Sequence, residues 1–169
     1  MEEDKEVIEL IKNRRSVRNY QNRKINEGIL KDIVDCGRLA PSGYNNQPWT
    51  FVVIQEQNLR KKLAEITTSG SFIQEAGACI AVFCEKSAAT GLEDACAATE
   101  NMMIAARAYG LDTCWVNSYK KSHSEAVKEL LNCPTEMELM TLFSIGYAQE
   151  EKGEVSKKSL AEVLEWEKF

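Results

Sequence analysis

Apolar positions recur along the chain with two periods. Val7, Ile8, Leu10 and Ile11 have helical spacing and predict a first helix over roughly residues 3–13. Asn26 has the character of an N-cap, and Ile29, Leu30, Ile33, Val34 and Gly37 mark one face of a second helix. Pro41 disfavours helical geometry at Ala40 and ends that helix. Residues 50–54 read as a strand. Leu59, Leu63 and Ile66 give a third helix over 58 to about 68, broken by Ser69-Gly70-Ser71. Residues 79–84 are continuously apolar, as in a central strand buried on both faces. Residues 92–109 are apolar nearly all round, which predicts a long buried helix, with Gly110 as its stop. Residues 113–116 predict another strand. Ser124 reads as the N-cap of a short helix carrying Ala126, Val127, Leu130 and Leu131. Residues 137–145 form a last strand, closed by Gly146. Beyond Gln149 the chain turns charged, through Glu150, Glu151, Lys152 and Glu154. Leu160, Val163, Leu164 and Trp166 then return at helical spacing. That stripe has little core of its own and must dock on this subunit or on a partner. The order of elements describes one mixed domain with a sheet of about four strands and helices on its faces.

The chain's 169 residues suit a single domain that buries roughly 70% of its extended surface. A net charge of −5 argues against a broad nucleic-acid surface. The start, Met1-Glu2-Glu3-Asp4-Lys5, has no apolar run behind it and does not read as a signal peptide. No apolar stretch approaches the ~20 residues that span a bilayer, so the expected location is cytoplasmic, without membrane contact. The cysteines at 36, 79, 84, 96, 114 and 133 form no Cys-x-x-Cys and read as packed, reduced thiols. The one histidine, His123, lies in a Lys/Ser segment and is expected at the surface. No metal site is legible.

Three stretches carry candidate chemistry. Arg14-Arg15-Ser16-Val17-Arg18 gathers three guanidiniums and a hydroxyl, a composition suited to phosphate oxygens. Taken alone, it equally fits a solvated patch that complements the negative end of the first helix. Residues 41–49, Pro-Ser-Gly-Tyr-Asn-Asn-Gln-Pro-Trp, form a loop of turn formers and side-chain amides, which could connect elements or frame a planar polar ligand. Gly110-Leu111-Asp112-Thr113-Cys114-Trp115-Val116 opens the third strand. No Gly-x-Gly-x-x-Gly follows a strand, and no Walker loop, nucleophile elbow or His-Glu-x-x-His is present.

Taken in order with Ile145-Gly146-Tyr147, these motifs resemble those of the nitroreductase family of FMN-dependent oxidoreductases, over about residues 8–160. The resemblance implies an α+β, three-layer fold. Its sheet would be mixed, mainly antiparallel, with four to five strands flanked by helices around a long buried central helix. Residues 1–169 would form one FMN-binding domain, with the tail 149–169 extended over a dimer partner. It implies that Arg14, Arg15, Ser16 and Arg18 hold the FMN phosphate and ribityl chain, joined by Lys157 and then Lys158 from the tail. It places Pro41, Ser42, Gly43, Asn45 and Gln47 at the flavin of the other subunit of a homodimer, and Asn117 and Ser118 beside the isoalloxazine ring. The implied activity is ping-pong reduction of a small acceptor, such as a nitroaromatic or quinone, by NADH or NADPH. No side chain acts as nucleophile or base, in keeping with a sequence nearly free of histidine. Two alternatives accompany it: a flavin- or anion-binding module without turnover, and a family member specialised for another reduction, such as that of an activated double bond.

The chain departs from longer members of that family at four points. The link before the long helix is short, which implies a more open pocket. Gly43 stands where a second Ser is usual, and Asn117-Ser118 where a glycine pair is common. Lys157 replaces a frequent Arg.

Overall fold

Strands Trp49–Ile54 (β1), Ala78–Glu85 (β2), Asp112–Asn117 (β3) and Met137–Gly146 (β4) form one sheet in the order β1-β2-β4-β3. In this computed structural model, residues 5–150, 153 and 155–169 are described. Each strand pair is antiparallel. The expected parallel component is limited to a single bridge, Ser16 to Thr113, at the free edge of β3. The architecture is α+β, and the described strands number four.

The side chains of β2 explain its unbroken apolar run. Ala78, Ile80, Val82 and Cys84 enter the core on one face of the sheet, and Cys79, Ala81 and Phe83 enter the core on the other. The helices are Glu6–Asn13 (α1), Glu27–Arg38 (α2), Gln57–Ile66 (α3), Gly91–Ala108 (α4) and Ser124–Leu130 (α5). On the first face Leu30 and Ile33 of α2 and Met102 and Met103 of α4 pack with Ile80, Phe143 and Ile145. On the second, Leu63 of α3 and Val127 of α5 pack with Ala81, Phe83 and Leu142. The result is three layers, and each fully buried large side chain contributes roughly 1.5–3 kcal/mol.

Several local expectations hold. The Asn26 carboxamide accepts from the Gly28 N–H at 2.7 Å and caps α2. Gly110 has φ 68°, the left-handed stop after α4. The link between β2 and α4 is only residues 86–90.

Others need correction. The first helix begins at Glu6; the predicted start at residue 3 lies outside the described residues, as do Glu151, Lys152 and Glu154 of the charged linker. Ser124 is the first residue of α5 and His123 its N-cap; the Ser124 hydroxyl instead donates to the Ser118 carbonyl. His123 is buried, because its ring is enclosed between Thr68 and Ser118. The long helix buries Asp94, Ala95, Ala98, Thr99, Met102, Met103 and Ala106. Its other side, with Cys96, Ala97, Glu100 and Ile104, is only half-buried. The apolar tail forms one short 3-10 turn, Leu160–Glu162, with Leu160, Val163, Leu164 and Trp166 exposed, since it finds no core to dock on within one chain. Cys79, Cys84 and Cys114 are buried, and Cys36, Cys96 and Cys133 half-buried. Among the described residues no helix is long and apolar enough to cross a membrane.

Candidate functional site

Helix α1 ends at Asn13, and Arg14 takes an extended conformation, with φ −64° and ψ 134°. From there the chain is laid along the free edge of β3. The Val17 N–H donates to the Thr113 carbonyl at 3.0 Å, and the Gln21 N–H to the Tyr147 carbonyl at 2.9 Å. Tyr20 fastens this segment to the sheet. Its ring is buried, its hydroxyl donates to the Val17 carbonyl at 2.6 Å, and the same oxygen lies 2.6 Å from Ser144 Oγ. Burial pushes the Tyr20 hydroxyl well above the usual phenol range, so it stays a neutral donor.

Held this way, Arg14, Arg15, Ser16 and Arg18 line one cavity of about 420 Å³ with Ile11, Lys12, Val155 and Lys157. The tail thus returns to the same cavity, bringing Lys157 to the arginines from about 140 residues away. Lys158 is exposed and does not line it. No carboxylate lines the cavity among the described residues, so like charges face one another across it.

The cations differ in how free they are. Arg14 Nε lies 3.3 Å from a Glu100 carboxylate oxygen on α4. Arg15 Nη1 donates to the carbonyls of Lys12 at 2.7 Å and Arg14 at 2.8 Å, capping α1 in the manner of the alternative reading of this cluster. Arg18 sits 5.8 Å from the centre of the Phe72 ring. Arg18 and Lys157 have no carboxylate partner among the described residues. Cys114 lies behind the cavity. Burial pushes its thiol up, while Arg18, Ser16 and Arg14 draw it back.

The loop of residues 41–47 is built at a second place. Tyr44, Asn45 and Gln47 have φ of 51°, 57° and 49°, three non-glycine residues in the left-handed region. Each such conformation costs on the order of 1 kcal/mol or more, so the loop must be held by its surroundings. The Ser42 hydroxyl accepts from the Gln47 N–H at 3.0 Å. The Gly43 N–H donates to Asp94 Oδ1 at 3.0 Å, and the Thr90 hydroxyl donates to Asp94 Oδ2 at 2.9 Å. A Cβ at Gly43 would lie 2.4 Å from Thr90 Oγ1. The position of the missing hydroxyl is therefore filled by threonine. Pro41, Asn45 and Gln47 face outward, and Tyr44 is 99% exposed.

At the end of β3, Asn117 is exposed and Ser118 is not. The Ser118 hydroxyl donates to the Val116 carbonyl at 3.0 Å and lies 3.4 Å from His123 Nε2. Of this pair, only Asn117 presents a side chain outward.

Helix α4 relates the two sites. Glu100 meets the arginine cluster, and Asp94 holds the loop. Six residues separate them, about 9 Å along the axis and about 120° around it. Within one chain, the arginine cavity and the loop therefore sit on different faces of the same helix. Sequence reasoning missed Asp94, Thr90, Glu100, Phe72 and Tyr20. Asp94 stands beside Glu93 in the first turn of α4, so residue type alone did not set it apart. Among the described residues no group of three or more His, Cys, Asp or Glu is placed to hold a metal ion.

The family model described as Nitroreductase family matches residues 11–82 and 68–147. A relative from Archaeoglobus fulgidus, provisionally named NADH dehydrogenase/NAD(P)H nitroreductase, is 33% identical over 153 residues, 87% of this chain and 88% of its own length. An iodotyrosine deiodinase from Thermotoga neapolitana is 25% identical over 88% of this chain and 91% of its own length. Among solved structures, an FMN-dependent nitroreductase from Clostridium difficile R20291 superposes with a TM-score of 0.90 at 25% identity, covering 96% of this chain and 99% of that one. The chain belongs to the nitroreductase family.

Proposed function

We propose that this member of the nitroreductase family is an FMN-dependent NAD(P)H oxidoreductase that reduces a small acceptor such as a nitroaromatic or a quinone. The observation that carries this reading is the convergence of Arg14, Arg15, Ser16, Arg18 and Lys157 on one cavity that no carboxylate lines among the described residues. A phosphate dianion there would meet Arg18 and Lys157, which have no acidic partner among the described residues, the exposed Ser16 and the half-buried, Glu100-paired Arg14. Bound FMN would supply the redox chemistry, taking hydride from NADH or NADPH and passing it to the acceptor. The protein binds and orients: cations at the phosphate end, and Asn117 at the opposite end of β3, about 13 Å from Thr113 along the strand.

The same reading includes a homodimer. The loop of residues 41–47 and the arginine cavity lie on different faces of α4, so a cofactor touching both draws on two chains. A partner would also cover apolar surface that one chain leaves open. Val7, Ile8 and Ile11 of α1 are exposed, and in the tail Leu160 and Trp166 are 71% and 79% exposed.

The test is direct. Purified protein should be yellow or bind added FMN. NADH or NADPH should bleach the flavin under anaerobic conditions, and a panel of nitroaromatics, quinones and iodophenols should restore the colour at different rates. A chain that stays colourless after incubation with excess FMN sinks the reading, and bound flavin that neither nicotinamide bleaches reduces it to a binding module. Sedimentation at micromolar concentration should give a dimer.

A further inference from the structure

Asp94 has no part in the chemistry described above, yet it is a carboxylate only 5% exposed in the first turn of α4. A buried charge is retained at a cost unless its partners compensate it. Its two oxygens are spent on one task. One accepts the Gly43 N–H at 3.0 Å, and the other accepts the Thr90 hydroxyl at 2.9 Å. Both bonds bear on the loop of residues 42–47, whose Tyr44, Asn45 and Gln47 are left-handed and whose remaining bonds run within the loop itself, as from the Gln47 N–H to the Ser42 hydroxyl. Gly43 is pressed against Thr90 so closely that no Cβ fits, which lets its N–H reach the Asp94 carboxylate.

We infer that Asp94 is a positioning residue: with Thr90 it clamps the loop of residues 42–47 of its own chain into the shape that completes the flavin site of the partner subunit. The inference rests on the FMN-dependent dimer proposed above. Asp94 itself touches no cofactor; it acts through the Gly43 backbone. Its effect belongs to the ring side of the site, whereas Arg14, Arg18 and Lys157 act at the phosphate.

The experiment compares flavin binding by Asp94→Ala, Asp94→Asn and Arg14→Ala. Asp94→Ala is expected to weaken FMN and riboflavin alike, by about tenfold or more. Asp94→Asn should recover most of the loss, because its carbonyl can still accept from the Gly43 N–H while the Thr90 hydroxyl turns to accept. Arg14→Ala should weaken FMN and leave riboflavin nearly unchanged. In a heterodimer of one Asp94→Ala and one Arg14→Ala protomer, both lesions should fall on one site. The other site should then bind FMN with wild-type affinity.

Unchanged flavin affinity in Asp94→Ala overturns the inference, and so does a heterodimer with no intact site. Should Asp94→Ala fail to fold, Thr90→Val, which removes one partner and keeps the shape, carries the same comparison. A wild-type chain that binds no FMN defeats the cofactor reading separately. In that case hydrogen exchange at the Gly43 amide reads the clamp, which stands if exchange is about tenfold faster in the Asp94 variant and falls if it is unchanged.

Discussion

Arg14 of the cation cluster and Glu100 of α4 form an ion pair, with Nε 3.3 Å from the carboxylate. Arg14 thus reaches the cavity already partly neutralised. Both side chains are partly exposed, so the pair is worth no more than about 1 kcal/mol. Glu100→Gln is expected to free the guanidinium and tighten FMN binding about two- to fivefold, measured by quenching of flavin fluorescence. A weaker affinity in that variant would show that Glu100 orients Arg14 instead of competing for it.

Arg18 and Lys157 should be the stronger phosphate ligands. Arg18→Ala or Lys157→Ala is expected to cost about 1.5–3 kcal/mol of FMN affinity, the range for a hydrogen bond to a charged group. Riboflavin, which has no phosphate, should bind both variants as it binds the parent. Arg15→Ala should cost less in affinity, because Arg15 is engaged with the carbonyls of Lys12 and Arg14.

Tyr20→Phe should loosen the segment that carries the cluster. It leaves the Val17 carbonyl and Ser144 without their shared hydroxyl in a buried place. The expected loss is about 1–3 kcal/mol, a fall in Tm of roughly 2–4 °C for each kcal/mol, read by thermal unfolding. An unchanged Tm would show that backbone pairing alone holds the segment.

Gly43→Ser would restore the hydroxyl usual in the family, but its Cβ would meet Thr90 Oγ1 at 2.4 Å. The single substitution is expected to destabilise by about 1–3 kcal/mol through overpacking. Paired with Thr90→Ala it should cost clearly less than the sum of the two single changes. Strict additivity in urea unfolding would refute the clash.

His123 sets a pH dependence of stability. Burial, and secondarily Lys121, holds its pKa below the ordinary histidine value of about 6.5. The unfolded chain therefore takes up a proton that the folded chain resists. Stability is full above about pH 6.5 and falls as the pH drops below that value. Urea unfolding at pH 5.5 and 7.5 measures the difference, and His123→Gln should remove this component. Glu56, held below its usual range by the Asn58 and Leu59 N–H groups, adds a further loss only at lower pH.

Part of the candidate site was legible because a cluster of guanidiniums is a matter of residue type. Arg14, Arg15, Ser16 and Arg18 stand out by type, Lys157 only through the family resemblance, and all five line one cavity. Ser118 was legible only as a position. Its neighbour Asn117 faces out while its own hydroxyl turns in toward Val116 and His123, an orientation that strand register sets.

The sequence alone determined the four strands, the approximate spans of the five helices, the cap at Asn26 and the stop at Gly110, but not the cap of α5 or the course of the tail. The features it determined follow from periodicity and local backbone preference, which act over a few residues. It also determined the residue types of the cation cluster, which by themselves fit a phosphate site and a solvated patch equally. Tertiary structure alone decided the order β1-β2-β4-β3, the burial of His123, the pairing of Arg14 with Glu100 and the bond from Gly43 to Asp94. Each of these joins groups from separate elements, as the bond across 51 residues from Gly43 to Asp94 does. No local preference specifies such pairings. They are selected by the shared burial of two core layers against one sheet.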